Sequence, residues 1–266
     1  YWDVRDRQSA AMDETENGEV WTSFTYNALG ELLSTEDDQG VMTTYRYDRF
    51  GQLLKKENSD EGTTIDRYDL AGNLISRTTA SLEQNIPDDG AIRYDYDHER
   101  LTQITYPKHI ENNVYYHYGK PDADNYRAGR VWFVEDASGG REWTFDALGN
   151  IDKEIRTMLI NATHIATYIS TSTSDTWGRT LVMQYPDAEK VTYAYNGGGM
   201  LTKMYGEKLG YRYDYLTQIG YDAFGDRTFI RFGNDVHQST TYDVTRRRVN
   251  SITAGSLKGE FMTSGY

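Results

Sequence analysis

Four residues in one stretch carry side chains that could hold a metal: Asp97, His109, Glu111 and His117. Imidazole and carboxylate are ordinary zinc ligands, but functional sites space them tightly, as in His-Glu-x-x-His on one helix face. No such spacing occurs here. His98, His164 and His237 complete no ligand motif either, so all five histidines read as residues of turns and strand edges. Gly197-Gly198-Gly199 offers backbone N–H groups to a phosphate, yet the Lys-Ser/Thr that should follow is absent. Arg246-Arg247-Arg248 and Tyr211-Arg212-Tyr213 pair cations with rings that could stack on bases. A net charge of −13 and a pI near 4.8 would repel a polyanion before contact. No Gly-x-Ser-x-Gly elbow presents a nucleophile, and without cysteine there is neither a thiolate site nor a disulfide. Asn161-Ala162-Thr163 is a glycosylation sequon that matters only in a eukaryotic source. The sequence predicts no catalytic residue, no cofactor, no metal and no nucleic-acid partner.

The glycine triplet belongs to a larger pattern. Tyr47-Asp48-Arg49-Phe50-Gly51-Gln52-Leu53 has the outline Tyr-Asp-x-x-Gly-x-Leu, and the outline recurs along the chain. It returns as Tyr26-Asn27 with Gly30 and Leu32, and as Tyr68-Asp69 with Gly72 and Leu74. Further copies are Phe145-Asp146 with Gly149 and Ile151, Tyr195-Asn196 with Gly199 and Leu201, and Tyr221-Asp222 with Gly225. Weaker copies stand at Tyr96-Asp97, Asp175-Thr176-Trp177-Gly178 and Tyr242-Asp243. Tyr26, Tyr47 and Tyr68 are 21 residues apart, as are Tyr221 and Tyr242. A fixed period of this length marks a repeat architecture.

Each unit has a physical reading. Val41, Thr43, Tyr45 and Tyr47 alternate with Met42, Thr44 and Arg46, a period of two rich in β-branched and aromatic residues. Asp48 can bond its own backbone in a turn, and Gly51 supplies a position free to take positive φ. Leu53 and Leu54 open a second strand, and Ser59-Asp60-Glu61-Gly62 turns the chain again. Asn17-Gly18, Asp37-Asp38-Gln39-Gly40, Asp88-Asp89-Gly90 and Ser138-Gly139-Gly140 read as equivalent turns. One repeat is one antiparallel hairpin, and its tyrosine, aspartate and glycine read as packing and turn residues rather than chemistry.

The remaining features bound this picture. Hydrophobic content is 38% and mean hydropathy −0.76, which suits a sheet with one wet face. Twenty-three tyrosines against eight phenylalanines suggest rings that pack while their hydroxyls stay in water. Residues 1–19 read as a lead-in strand and loop, and 20–266 as the repeat array. Ala80 to Asp89 is an insertion, and Lys120 to Gly129 an extended turn. Val131-Trp132-Phe133-Val134 is an apolar run with both strand faces buried or one face meeting a partner, and Thr157 to Thr176 suits strands through its β-branched residues. Little helix is expected, and no stretch reaches the ~18 apolar residues of a membrane helix. The start at Tyr1 and the break-off at Tyr266 suggest a portion of a longer polypeptide. About twenty strands at ~4.8 Å give ~95 Å of sheet, too little to surround a folded domain.

The Tyr-Asp-x-x-Gly-x-Leu unit, repeated from about Tyr26 to Arg248, resembles the Rhs/YD-repeat family. That family includes the shell-forming B and C components of Tc toxins, polymorphic Rhs toxins and teneurins. Some copies depart from the pattern and are expected to carry longer or altered turns: Arg100 and Arg246 stand at the glycine position, Ser174 at the tyrosine, and Asp226-Arg227 follows Gly225. The resemblance implies an all-β array of antiparallel hairpins coiling into part of a hollow β-shell around a C-terminal toxic domain. The partners it implies are the remainder of the parent chain and that enclosed domain, with bacterial export to the cell surface or medium. Self-cleavage in such toxins uses an Asp-Pro-x-Gly core, and this sequence has no Asp-Pro. Exposed tyrosine and tryptophan rings also suit a second reading, an adhesion module for glycans or cell-surface partners.

Overall fold

The computed structural model describes residues 1–16, 18–85, 90–256 and 259–265. Two units are distinguished, Tyr1–His117 with Val134–Ser138, and Tyr118–Phe133 with Gly139–Tyr266. The first holds β1 (Ala10–Thr15), β2 (Gly18–Tyr26), β3 (Leu32–Asp37), β4 (Met42–Tyr47) and β5 (Leu53–Asn58). It continues with β6 (Gly62–Tyr68), β7 (Leu74–Thr78), helix α1 (Ala80–Asn85), β8 (Ile92–Asp97), β9 (Arg100–Thr105) and most of β10 (Val114–Tyr118). β11 (Val131–Asp136) gives residues to both units. The second unit holds β12 (Gly139–Phe145), β13 (Ile151–Asn161), β14 (His164–Ser174), β15 (Thr180–Gln184) and β16 (Lys190–Tyr195). β17 (Leu201–Lys208), β18 (Tyr211–Tyr221), β19 (Arg227–Phe232), β20 (His237–Tyr242), β21 (Val249–Ser256) and β22 (Gly259–Gly265) complete it.

Within each unit every strand pairs antiparallel with its sequence neighbour, from β1 to β10 and from β12 to β22. Among the described residues no pairing joins the first strand of either run to its last, so neither sheet closes on itself. The chain is nearly all β, one hairpin per repeat, as the alternation predicts. Next to each Tyr-Asp turn the register slips by one residue, for example between Arg46 and Tyr47 and between Ala194 and Tyr195. Such a bulge tightens the local twist and swings the strand ends apart.

Burial is thin. Phe145, Val191 and Ile230 are the buried apolar side chains among the described residues. Along β8, Ile92, Tyr94 and Tyr96 are half-covered while Arg93, Asp95 and Asp97 lie in solvent. The better-covered face is therefore half-exposed rather than sealed. Asp66 is the exception among the charges: 4% exposed, it takes a two-pronged bond from Arg77 across the β6–β7 pair, both contacts at 2.7 Å.

The insertion after β7 contains α1, with Thr79 receiving the Glu83 N–H on its carbonyl at 2.9 Å. Residues 86–89, including the Asp88-Asp89 turn, lie outside the described residues, as does Asn17. A short 3-10 turn, Ile110–Asn112, precedes β10. The Thr/Ser/Ile-rich stretch forms the longest hairpin, β13 and β14, each of 11 residues.

Candidate functional site

The repeated feature of this chain is its Tyr-Asp turn, built on the same bonds in copy after copy. At Asp48, the side-chain Oδ1 accepts the N–H of Phe50 at 2.8 Å and of Gln52 at 2.9 Å. Its backbone N–H donates to Gln52 O at 3.0 Å, and Gly51 N donates to Asp48 O at 3.3 Å. Gly51 has φ 81°, the left-handed conformation that closes a three-residue hairpin loop. Asp69, Asp146, Asp175, Asp222, Asn27 and Asn196 repeat the pattern, each accepting from the residues two and four places on. Gly30, Gly72, Gly149, Gly178, Gly199 and Gly225 take the positive-φ place, with φ between 74° and 93°. At Gly72 the space is also closed: a Cβ there would stand 3.0 Å from the Gln52 amide of the preceding copy.

In six copies the tyrosine before the aspartate bridges consecutive hairpins. Across its own hairpin it faces the leucine position: Tyr26 with Leu32, Tyr47 with Leu53, Tyr68 with Leu74, Tyr195 with Leu201, and Tyr221 with Arg227 in the copy that lacks the leucine. Between one hairpin and the next, the ladder stops short of that leucine position. The β5–β6 pairing ends at Lys55 with Ile65, leaving the Leu53 carbonyl beyond it. The Tyr68 hydroxyl donates to that carbonyl at 3.0 Å. The same bond runs from Tyr26 to Gln8 (2.9 Å), Tyr96 to Leu74 (3.0 Å), Tyr195 to Thr180 (2.9 Å), Tyr221 to Leu201 (2.9 Å) and Tyr242 to Arg227 (3.1 Å). Ser174 replaces the tyrosine in one copy, and there the Ser172 hydroxyl reaches the equivalent carbonyl, that of Ile151, at 2.6 Å. A backbone carbonyl left off the ladder needs such a donor. The expectation that tyrosine hydroxyls stay in water is thus corrected for these positions: they hold one repeat to the next.

The charges follow from these bonds. Asp3 is held down to about 2 by the Arg7 guanidinium and by backbone N–H groups. Asp69 and Asp146 are lowered first by the amides of Asn73 and Asn150, Asp175 by Arg179, and Asp222 by Arg247. Burial pushes the phenols of Tyr47, Tyr68, Tyr96 and Tyr195 up. Arginines also sit over rings of the following copy, Arg7 over Tyr26 at 4.7 Å and Arg179 over Tyr195 at 4.8 Å.

Sequence reasoning missed one copy, and the altered turns it expected in two others are present. Asp3 accepts from Arg5 N at 2.8 Å and Arg7 N at 3.0 Å, and Asp6 takes positive φ where glycine stands elsewhere. The Asp3-to-Arg7 spacing, shared with Asp175 and Arg179, was the available signal. At Tyr96 the turn is shorter than the outline: Asp97 pairs with Arg100, and His98, not Arg100, has positive φ. At Tyr242 it is one residue longer, and Arg247 rather than Arg246 takes that conformation, φ 55°. Arg247 also contacts the Asp222 and Asp226 carboxylates of the preceding copy.

The residues weighed for chemistry are scattered. His98 bonds Asp97 at 2.9 Å, His109 bonds Glu111 at 2.8 Å, and His117 bonds Glu135 at 2.8 Å, each a separate pair. Among the described residues no group of three or more histidines and carboxylates could hold a metal ion. Gly197-Gly198-Gly199 is the Asn196 turn itself. Arg212 lies 3.7 Å from the Tyr205 ring centroid.

Comparison with known proteins adds the following. The RHS Repeat family model matches residues 26–64. No curated protein matches the sequence. A crystal structure of TcdB2-TccC3-TEV superposes with a TM-score of 0.76 at 19% identity, over 100% of this chain and 14% of the other. The structure of a Photorhabdus luminescens Tc holotoxin pore carrying a TccC3 mutation gives 0.75 at 18% identity, over 96% of this chain and 14% of the other. TcdB2-TccC3 without its hypervariable C-terminal region gives 0.75 at 19% identity, over 99% of this chain and 14% of that one. The chain thus spans about one seventh of the length of these structures.

Proposed function

Because this chain carries an RHS repeat and shares the fold of the TcdB2-TccC3 structures, we propose that it is a wall segment of a toxin-enclosing shell. Its work is confinement, keeping a cargo polypeptide from protease and solvent until release, and it makes or breaks no covalent bond. The observation that carries this reading is the match over nearly the whole chain, at a TM-score of 0.76 with TcdB2-TccC3-TEV and 0.75 with TcdB2-TccC3 lacking its hypervariable C-terminal region. On this reading the chain supplies wall and the cargo is a separate segment of the parent polypeptide.

Two features of the chain support the reading. A meander whose hairpins bury little of their own surface gains stability by stacking on further repeats. The motif turns also expose apolar side chains at their tips: Leu29, Phe50 and Leu70 in the first unit, Leu148, Trp177 and Phe224 in the second, from 62% to 110% exposed. Apolar residues displayed in series are suited to be covered, here by the rest of the parent chain. Export from the cell that makes it follows from the same reading; among the described residues no helix is long and apolar enough to cross a membrane.

Limited proteolysis of the natural full-length polypeptide tests it. The cargo segment should resist protease while the shell is intact and be cut rapidly once urea opens the sheet. Equal cutting rates for the enclosed and the isolated segment would end the proposal. A second reading, a glycan-binding adhesion module, draws on the exposed rings of Phe50, Trp177 and Phe224. Saturable binding on a glycan array, abolished by Trp177→Ala, would favour it instead.

A further inference from the structure

A bare strand edge in the second unit lies beside a pocket of tyrosines and carboxylates. β14 pairs with β13 from His164 to Thr171, but with β15 only from Thr171 to Ser174. Among the described residues, 164–170 therefore have a strand partner on one side alone. The cause is hairpin length: β13 and β14 have 11 residues each, whereas β15 has 5 and β16 has 6. In an antiparallel strand every second residue turns its N–H and C=O toward such an open side, where they can pair with another chain.

The gap above the short hairpin forms a cavity of about 460 Å³, lined by Tyr168, Tyr185, Glu189, Tyr193, Met204 and Tyr215. Tyr168 belongs to the bare edge itself. Glu189 Oε1 accepts the Tyr213 hydroxyl at 2.7 Å and the Tyr215 hydroxyl more closely. Lys208 pairs with Asp187, also at the cavity, at 2.5 Å and is drawn more weakly to Glu189, so two carboxylates share one cation there. Aromatic faces around this excess of negative charge attract a further cation and disfavour an anion. On the opposite face of β14, Ile165 and Ile169 are 66% and 45% exposed.

We propose that this edge binds an extended peptide that adds as a further strand along residues 164–170 and places a lysine or arginine in the tyrosine pocket. Main-chain bonds to β14 supply the register, Ile165 and Ile169 take apolar side chains on one face, and Glu189 selects the cation on the other. The partner is thus a basic peptide with alternating apolar residues. This surface is independent of the shell reading, since a peptide could dock here whatever the chain encloses.

The test is fluorescence anisotropy of the full chain with a short labelled peptide of alternating valine and threonine and one central arginine. Saturable binding is expected, weakened about tenfold when glutamate replaces the arginine and about tenfold by Glu189→Gln. Glutamine can still accept the tyrosine hydroxyls, so the fold should persist; an unchanged thermal midpoint checks this, and Tyr185→Ala serves as a second variant. Backbone N-methylation along one edge of the peptide should abolish binding, while methylation along the other edge leaves it. Equal binding by both methylated peptides, indifference to Glu189→Gln, or a dimer of this chain dissociated by Ile165→Lys would each overturn the proposal.

Discussion

The two ends of these hairpins obey different rules. At the Tyr-Asp end, each turn rests on the copy before it. Arg5 Nη1 donates to Ala28 O at 2.8 Å, Gln52 Nε2 to Gly72 O at 3.3 Å, and the tyrosine hydroxyls close the gap where the ladder stops. At the opposite end the turns take several forms: those at Asp37, Tyr185 and Phe232 close the same way as the Tyr-Asp turns, and the others do not. Asp37 rebuilds the same bonded loop, accepting from Gln39 and Val41, whereas β7 and β8 are separated by an insertion containing α1. Asn161 and His164 close the long hairpin, and Ala188 takes positive φ in the short one beside it. A turn that touches its neighbour in every repeat stays close to one shape, and the copies at Asp97 and Asp243 depart from it by only one residue. A turn that projects alone is free to lengthen, and the bare edge of β14 is a product of that freedom.

The sharpest way to break this contrast is to lengthen one turn of each kind. Two glycines inserted after Ala147 would separate Asp146 from the N–H groups of Leu148 and Asn150 and move Gly149 out of its place. The thermal midpoint should fall by several degrees or more. The same insertion after Ala162, in the turn between β13 and β14, should cost about 0.5 kcal/mol or less. Similar losses at both sites, read by thermal unfolding, would mean that the two ends do not differ.

Acid should act next most strongly, and mainly through the Tyr-Asp end. Asp3, Asp69, Asp146, Asp175 and Asp222 all have folded-state values below the ordinary carboxylate range. A depressed carboxylate contributes stability that is present above its unfolded value, roughly 3.9, and lost as pH falls through the folded one. For Asp3 the loss extends down to about pH 2. Asp187, paired with Lys208, adds a share from the far end. Asn27 and Asn196 show that an amide can receive the same two backbone bonds. Asp69→Asn should therefore keep the turn while making the decline of stability with acid shallower. An unchanged acid profile would show that this carboxylate does not report on folding.

Glycine substitutions give a smaller and more local contrast. Gly72 and Gly40 both have positive φ, 93° and 82°, but only Gly72 has a neighbour in the way. Gly40→Ala should cost about 1 kcal/mol, the strain of a side chain in the left-handed region. Gly72→Ala should cost about 2 kcal/mol, because the Gln52 amide must also move. Denaturant midpoints of the two variants measure the difference, and equal values would remove inter-turn contact from the argument.

How much of this was legible beforehand follows the same division. The hairpins, the bonded aspartate and the positive-φ glycine could be read because Tyr-Asp-x-x-Gly-x-Leu depends on local backbone chemistry. The Asp3 turn was hidden because Asp6 tolerates the glycine conformation, so the most visible mark was missing. Altered turns at Asp97 and Asp243 were legible from the missing glycine, but their lengths were not, because the register is set by the opposed pairs Tyr96–Leu101 and Tyr242–Val249. The destination of the tyrosine hydroxyl was not legible, since it bonds a carbonyl 15 to 22 residues back, in the previous hairpin. Hairpin length at the far end has no motif at all, and the open edge of β14 emerged only from the register.

The smallest predicted effect concerns that hydroxyl. Tyr68→Phe and Tyr195→Phe keep the ring and remove the donor to Leu53 O and Thr180 O, so each should cost about 1 kcal/mol. The positions lie in different units, and the two losses should add within about 0.5 kcal/mol. Alkali offers an independent reading. Burial raises both phenols above their ordinary value, so their contribution is present below roughly pH 10 and lost as pH rises through the folded values. Tyr193, not a bridging residue, is pushed up to about 12 and extends the same limb. Each phenylalanine variant should therefore lose stability at neutral pH yet decline less steeply in alkali. Phe145 shows that one copy can do without the hydroxyl. If Tyr68→Phe and Tyr195→Phe cost nothing as well, the hydroxyls play no part in holding the repeats together, and the rigidity of the Tyr-Asp end rests on aspartate and glycine alone.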